Sequence, residues 1–169
     1  MSMADESALL VACPAAVPTV RGHRLGVPPH MTVLYPFRPE PADEDHERLR
    51  RIVAGLPPWE LRFERTGWFD DAVLYLAPLD PAPLIALTTA VAEAFPEHPS
   101  YGGAFDDVVP HLTVETSTGD HEALRAAERA LLPRLPVVQW VDRVELWSGP
   151  AAATAPDDSW RRVASYDLG

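Results

Sequence analysis

Apolar and polar positions alternate along His30–Phe37, Trp59–Phe69 and Val73–Pro78, the period-two signature of strands that bury one face. Ser7 to Pro14 is apolar almost throughout and predicts a buried first strand, followed by a Pro- and Gly-containing loop through Pro29. Pro36, Pro39 and Pro41 stop the second strand, and the period then changes. Over Asp43 to Leu56 the apolar residues Leu49, Ile52, Val53 and Leu56 recur at helical spacing, with acidic residues first and arginines later, as the helix dipole favours. Asp70-Asp71 marks the turn between the next two strands, and Pro81 to Phe95 is a helix with proline near its start.

After a turn-rich loop, Pro96 to Pro110, the order of elements recurs. His111 to Glu115 is a strand, Asp120 to Leu132 a helix, Val137 to Trp147 one long strand, and Trp160 to Asp167 a final strand beyond an Ala-, Pro- and Asp-rich hairpin tip. Helices interspersed with hairpin-connected strands predict an α+β fold with antiparallel sheets and helices on their outer faces. A pseudo-symmetric, bilobal arrangement is expected, with two sheets flanking a central cleft inside one domain spanning 1–169.

The two halves share more than their order. Pro29-His30-Met31-Thr32-Val33 recurs as Pro110-His111-Leu112-Thr113-Val114, four identities in five positions, 81 residues apart (111 − 30). On a strand, side chains at i and i+2 share a face, so His30 and Thr32 point together, ~7 Å apart along the strand, as do His111 and Thr113. One His-x-Thr is an ordinary strand face. Two copies, each opening one half, present paired imidazoles and hydroxyls to a shared cleft if the halves are related by a pseudo-twofold. Phosphodiester cleavage needs a base for the attacking oxygen, an acid for the leaving oxygen, and donors to the non-bridging oxygens. Two histidines with ordinary pKa values near ~6.5 and two threonines supply that set without a metal.

At these residues the chain resembles the 2H phosphoesterase superfamily, which includes bacterial 2′-5′ RNA ligase-like proteins and cyclic phosphodiesterases. The resemblance extends to Gly26-Val27-Pro28-Pro29, to Gly67-Trp68-Phe69, to Tyr101-Gly102-Gly103, and to the closing segments Arg143–Trp147 and Trp160–Leu168. It implies a bilobal fold, His30 and His111 as catalytic residues, Thr32 and Thr113 as phosphate-binding hydroxyls, and hydrolysis of a 2′,3′-cyclic phosphate or related small nucleotide phosphodiester. A non-catalytic nucleotide- or phosphometabolite-binding module and a 2′-5′ RNA ligase-like activity are the rival readings. Many RNA-processing members carry a basic residue after the second motif, whereas this chain continues Val114-Glu115-Thr116-Ser117. A carboxylate on the face of His111 and Thr113 opposes a second phosphate there.

Composition narrows the partner. A net charge of −11 disfavours long RNA or DNA, whose affinity comes from neutralising many phosphates, and leaves a small nucleotide or an RNA-end phosphodiester. All 14 basic residues are arginine, which removes Walker-type lysine, Schiff-base and lysyl-nucleotide chemistry. Neither a cofactor nor a metal is expected: a zinc site needs three or four convergent ligands, and only turn aspartates (Asp70, Asp71, Asp106, Asp107) stand by to complete one. The lone Cys13 fits a reducing compartment, and acidic flanks before a short apolar run argue against a lipoprotein signal, so a cytoplasmic monomer with no membrane partner is expected.

Of the remaining residues, His23, His46, His98 and His121 are expected in solvated positions, and Arg21 and Arg24 on a surface loop that has a phosphate contact within reach. Tyr101, Phe105 and Trp68 are candidates to stack on a base, with core packing the bland alternative, while Trp59, Trp140 and Trp147 are assigned to the core.

Overall fold

The computed structural model describes residues 5–17, 19–20, 22–99, 109–117 and 119–169. Among these, eight strands run β1 (Glu6–Ala12), β2 (His30–Phe37), β3 (Trp59–Phe69), β4 (Val73–Pro78), β5 (Leu112–Thr116), β6 (Val137–Val141), β7 (Arg143–Gly149) and β8 (Arg161–Asp167). The described residues also form three α-helices, α1 (Asp43–Ala54), α2 (Ala82–Ala94) and α3 (His121–Leu131). The α+β class and the antiparallel pairing agree with the alternation in the sequence.

The strands form one curled antiparallel sheet in the order β6-β3-β4-β5-β2-β1-β7-β8. Two separate sheets were expected; instead both groups of four are continuous through the pair Met31↔Leu112, where β2 meets β5. Each group also draws on distant parts of the chain. The return of β7 and β8 alongside β1 places the C-terminal strands beside the N-terminal one.

The expected single strand from Val137 to Trp147 is two strands, broken at Asp142. Its alternation changes phase there: Val137 and Val141 are buried at odd positions, Val144 and Leu146 at even ones. A residue-by-residue shift of that kind swaps the buried face. Here it coincides with the chain leaving β3 for β1, since β6 pairs with β3 and β7 with β1.

One face of the sheet packs against the helices. Leu9, Val11, Met31, Val33, Phe63, Leu76, Leu112 and Leu146 are buried there with Leu49 and Val53 of α1 and Leu87 and Val91 of α2. The opposite face carries a smaller cluster built on Leu10, Leu25, Val27 and Trp160. That second cluster fastens the loop before β2: Asp158 and Trp160 donate backbone N–H groups to the carbonyls of Arg24 and Leu25, at 2.9 and 3.0 Å. Gly26 sits in this loop at φ 94°, a left-handed conformation that glycine adopts without steric cost.

Candidate active site

Both motifs begin with proline, and proline holds the residue before it extended. The carbonyl two residues upstream of each histidine consequently meets the ring: His30 Nδ1 lies 2.8 Å from the Pro28 oxygen and His111 Nδ1 2.6 Å from the Val109 oxygen. A carbonyl can only accept, so each Nδ1 carries its hydrogen. In the neutral ring the lone pair is then on Nε2.

Antiparallel register brings the motifs together. Met31 is opposite Leu112. Continuing by one residue each way sets His30 opposite Thr113 and Thr32 opposite His111, all four on the face away from the helices. In a regular antiparallel ladder that placement is crosswise, each imidazole beside the other motif's hydroxyl, with the histidines on a diagonal of roughly 7–8 Å. His30, Thr32, His111 and Thr113 line one cleft of about 580 Å³. The structure thus brings together all four residues singled out from the sequence.

The two histidines differ in surroundings. Burial pulls the pKa of His30 below its ordinary value, and the neighbouring His23 and His111 add to this, while the Pro28 carbonyl opposes it in part. His111 rests against aromatic rings: Phe69 lies edge-on at 4.9 Å between centroids and Tyr75 at 5.7 Å, and those two rings stack on each other at 4.3 Å. Tyr75 reaches this position because its cross-strand neighbour is Gly67; a Cβ there would come within 2.4 Å of the tyrosine ring.

Glu115 lines the cleft, as the strand parity of β5 implies, although a register shift against β4 intervenes between Thr113 and Glu115. Trp68 turns to the other face, where its indole N–H donates to Glu128 of α3 at 2.8 Å, so it does not face the histidines. Arg24 lines the cleft by position, but its guanidinium is spent on the Ala152 and Ala155 carbonyls and on Asp157. Arg21, Tyr101 to Gly103, Phe105, Asp106 and Asp107 lie outside the described residues. Among the described residues, no three His, Cys, Asp or Glu side chains converge as a metal site.

Three residues beside the two histidines were not assigned to the site from the sequence. His23 was assigned to solvent, yet it borders the cleft, its Nδ1 accepting the Leu25 N–H at 3.2 Å so that Nε2 carries the hydrogen of the neutral ring. Burial first, and Arg24 second, keep its pKa below the ordinary value. Phe69 and Tyr75 are the others; their alternation around Gly67 on a hairpin was visible, but not which face would meet His111. Of the other three histidines, His121 is exposed as expected and lies against the Asp71 carbonyl, whereas half-buried His46 bonds the Tyr166 hydroxyl and half-buried His98 accepts from Arg38.

The model of the 2′-5′ RNA ligase superfamily matches residues 20–151, most of the chain and both motifs. The chain belongs to this superfamily. The group is also described as the 2H phosphoesterases, and phosphodiester-related activity is associated with it. Solved structures share the fold at low identity. The TT0787 protein of Thermus thermophilus is 21% identical with a TM-score of 0.59, over 96% of this chain and 97% of that one. LigT of E. coli in its apo form is 16% identical with a TM-score of 0.58, over 99% of both chains. LigT has also been solved with 3′-AMP, at 16% identity and a TM-score of 0.55 over 97% of this chain and 98% of that one. No curated protein matches the chain. Among the described residues of this 2H phosphoesterase, no helix is long and apolar enough to cross a membrane.

Proposed function

We propose that the protein hydrolyses a nucleoside 2′,3′-cyclic phosphate or a related small phosphodiester, with His30 and His111 as the acid/base pair and Thr32 and Thr113 binding the phosphate. The observation that carries this reading is the convergence of two imidazoles and two hydroxyls on one cleft, beside the pair Met31↔Leu112. With Nδ1 occupied by the Pro28 carbonyl and its pKa depressed, His30 presents a neutral Nε2 as base. It takes a proton from water as the water oxygen bonds to phosphorus in line. The bond from phosphorus to one ribose oxygen breaks, and that oxygen takes a proton from His111 Nε2, leaving a 2′- or 3′-monoester. The threonine hydroxyls donate to the non-bridging oxygens as charge builds on them. No step calls for a metal.

LigT has been solved with 3′-AMP, itself a nucleoside 3′-monoester of the kind this reaction would release. The net charge of −11 and Glu115 in the cleft weigh against ligation of long RNA at the same site. The test is turnover of nucleoside 2′,3′-cyclic phosphates in the presence of a chelator. Activity should persist there and fall by about 10³-fold or more in His30→Ala and in His111→Ala. Full activity in the double variant would sink the proposal, whereas tight binding of an intact cyclic phosphate without turnover would favour a binding module.

A further inference from the structure

On the histidine face, the row of cross-strand neighbours runs from Thr32 through Leu10 to Glu145, because Leu10 is registered opposite both. Ala12, the neighbour of His30 on β1, lines a second recess of about 240 Å³. Pro28 borders both spaces. The recess therefore lies two strands from the motif on β2, roughly 10 Å across the sheet.

Its chemistry is unlike that of the rest of this acidic chain. The Glu145 carboxylate is buried, with Trp147 Nε1 donating to Oε1 at 3.0 Å. Arg143 and Arg162 both approach Oε2, at 3.3 and 3.4 Å, and both side chains are about half exposed, at 51%. One carboxylate cannot neutralise two guanidinium groups, and Asp142, the other acid on the wall, is exposed to solvent and pairs with neither arginine. Two guanidinium groups share the one buried carboxylate, and a guanidinium that gives one nitrogen to a carboxylate retains further N–H donors in a fork that suits phosphate. Trp140, assigned to the core from the sequence, is instead 58% exposed on the recess wall. At the β5 side of the cleft the sign is reversed, since Glu115 stands there.

We propose that Arg143 and Arg162 bind a second phosphate of the substrate, so that the preferred ligand is a nucleotide carrying another phosphate on the side of the scissile group facing β7. This deepens the proposed function and rests on the histidine cleft holding the first phosphate. The charge gradient from Glu115 to the arginine pair gives the substrate a direction: its second anion extends across Ala12.

Binding of products tests this without turnover. Calorimetry with adenosine 3′-monophosphate and adenosine 3′,5′-bisphosphate should show the bisphosphate binding about tenfold or more tightly to the wild-type protein. Arg162→Gln and Arg143→Gln should each bring that ratio close to one while leaving the monophosphate affinity unchanged. Glu145→Gln keeps an acceptor for Trp147 and frees both arginines, so it should raise the ratio, which a purely structural role for the ion pairs would not do. Equal affinities in the wild-type protein, binding of neither ligand, or a ratio indifferent to all three substitutions would overturn the inference. Hydrolysis of cyclic phosphate with equal product affinities would sink this inference alone; the expected ratios in a protein that turns over no phosphodiester would sink the hydrolytic reading and leave this one standing.

Discussion

His30 and His111 share their sequence neighbours and the same Nδ1 contact, yet burial and two nearby imidazoles act on His30 while aromatic rings flank His111. The proton inventory follows from that asymmetry. Because the folded pKa of His30 is lowered, the unfolded chain takes up a proton first as pH falls. Stability is unaffected above the unfolded value of about 6.5 and declines as pH drops below it until the folded pKa is passed. The acid limb of kcat/KM should likewise lie below pH ~6.5, and His30→Ala should flatten the pH dependence of the urea midpoint between about pH 5 and 7. An acid limb above the ordinary imidazole value would contradict the depressed pKa. At this scale the sequence was informative where the chemistry repeats, because two copies of Pro-His-x-Thr-Val fix both the side chains and the upstream carbonyl. It placed His23 in solvent and did not point Phe69 or Tyr75 at the motif, because their approach depends on how a loop and a hairpin fold back and not on their own neighbours.

Elements were legible where periodicity and capping agree. The span of α1 was close to its prediction, and its start is fixed by Asp45, whose carboxylate accepts the Ala42 N–H at 2.9 Å while binding both N–H positions of Arg38 Nη1 at 2.9 and 3.0 Å. Arg38 continues to Glu97 and His98, tying the end of β2 and the first turn of α1 to the segment after α2. The break between β6 and β7 was missed because both halves of Val137 to Trp147 alternate, and only the phase change at Asp142 announces that the chain has changed partners. Burial would raise the pKa of Asp45, but the Ala42 N–H and the Arg38 guanidinium outweigh it and hold the carboxyl below its usual range. The stabilisation is thus present above the unfolded value near ~3.9 and disappears as pH falls through the lower folded value. Asp45→Asn should lower stability by about 1–2 kcal/mol at neutral pH, since one partner of the pair is half exposed, and the deficit should vanish in acid. A urea midpoint that shifts equally at pH 7 and pH 3 would show that the charge on Asp45 contributes nothing.

The pairing between β2 and β5 is the least predictable feature of the molecule and the one on which the site depends. Repetition of the motif implied convergence of two segments; nothing in either segment specified that they would pair edge to edge, because strand partners are chosen by the shape of the whole sheet. Met31 and Leu112 form that seam and are completely buried, in a core that also holds Leu9 and Val33 from one side of the sheet and Phe63 and Leu76 from the other. Stability and the geometry of the proposed site are consequently coupled at Leu112. Leu112→Ala removes apolar contact directly behind His111 and Thr113, and should cost about 2–5 kcal/mol with a loss of kcat measured where the variant is still folded. Leu87→Ala in α2 is the comparison, because Leu87 is equally buried but packs away from the cleft face. It should cost a similar amount of stability and leave kcat within about twofold, since loss of packing energy alone does not alter the activity of the folded fraction. Equal kcat in both variants would mean that the register at the seam tolerates the cavity, and that the crosswise placement of the imidazoles is held by the Pro28 and Val109 contacts instead of by the sheet.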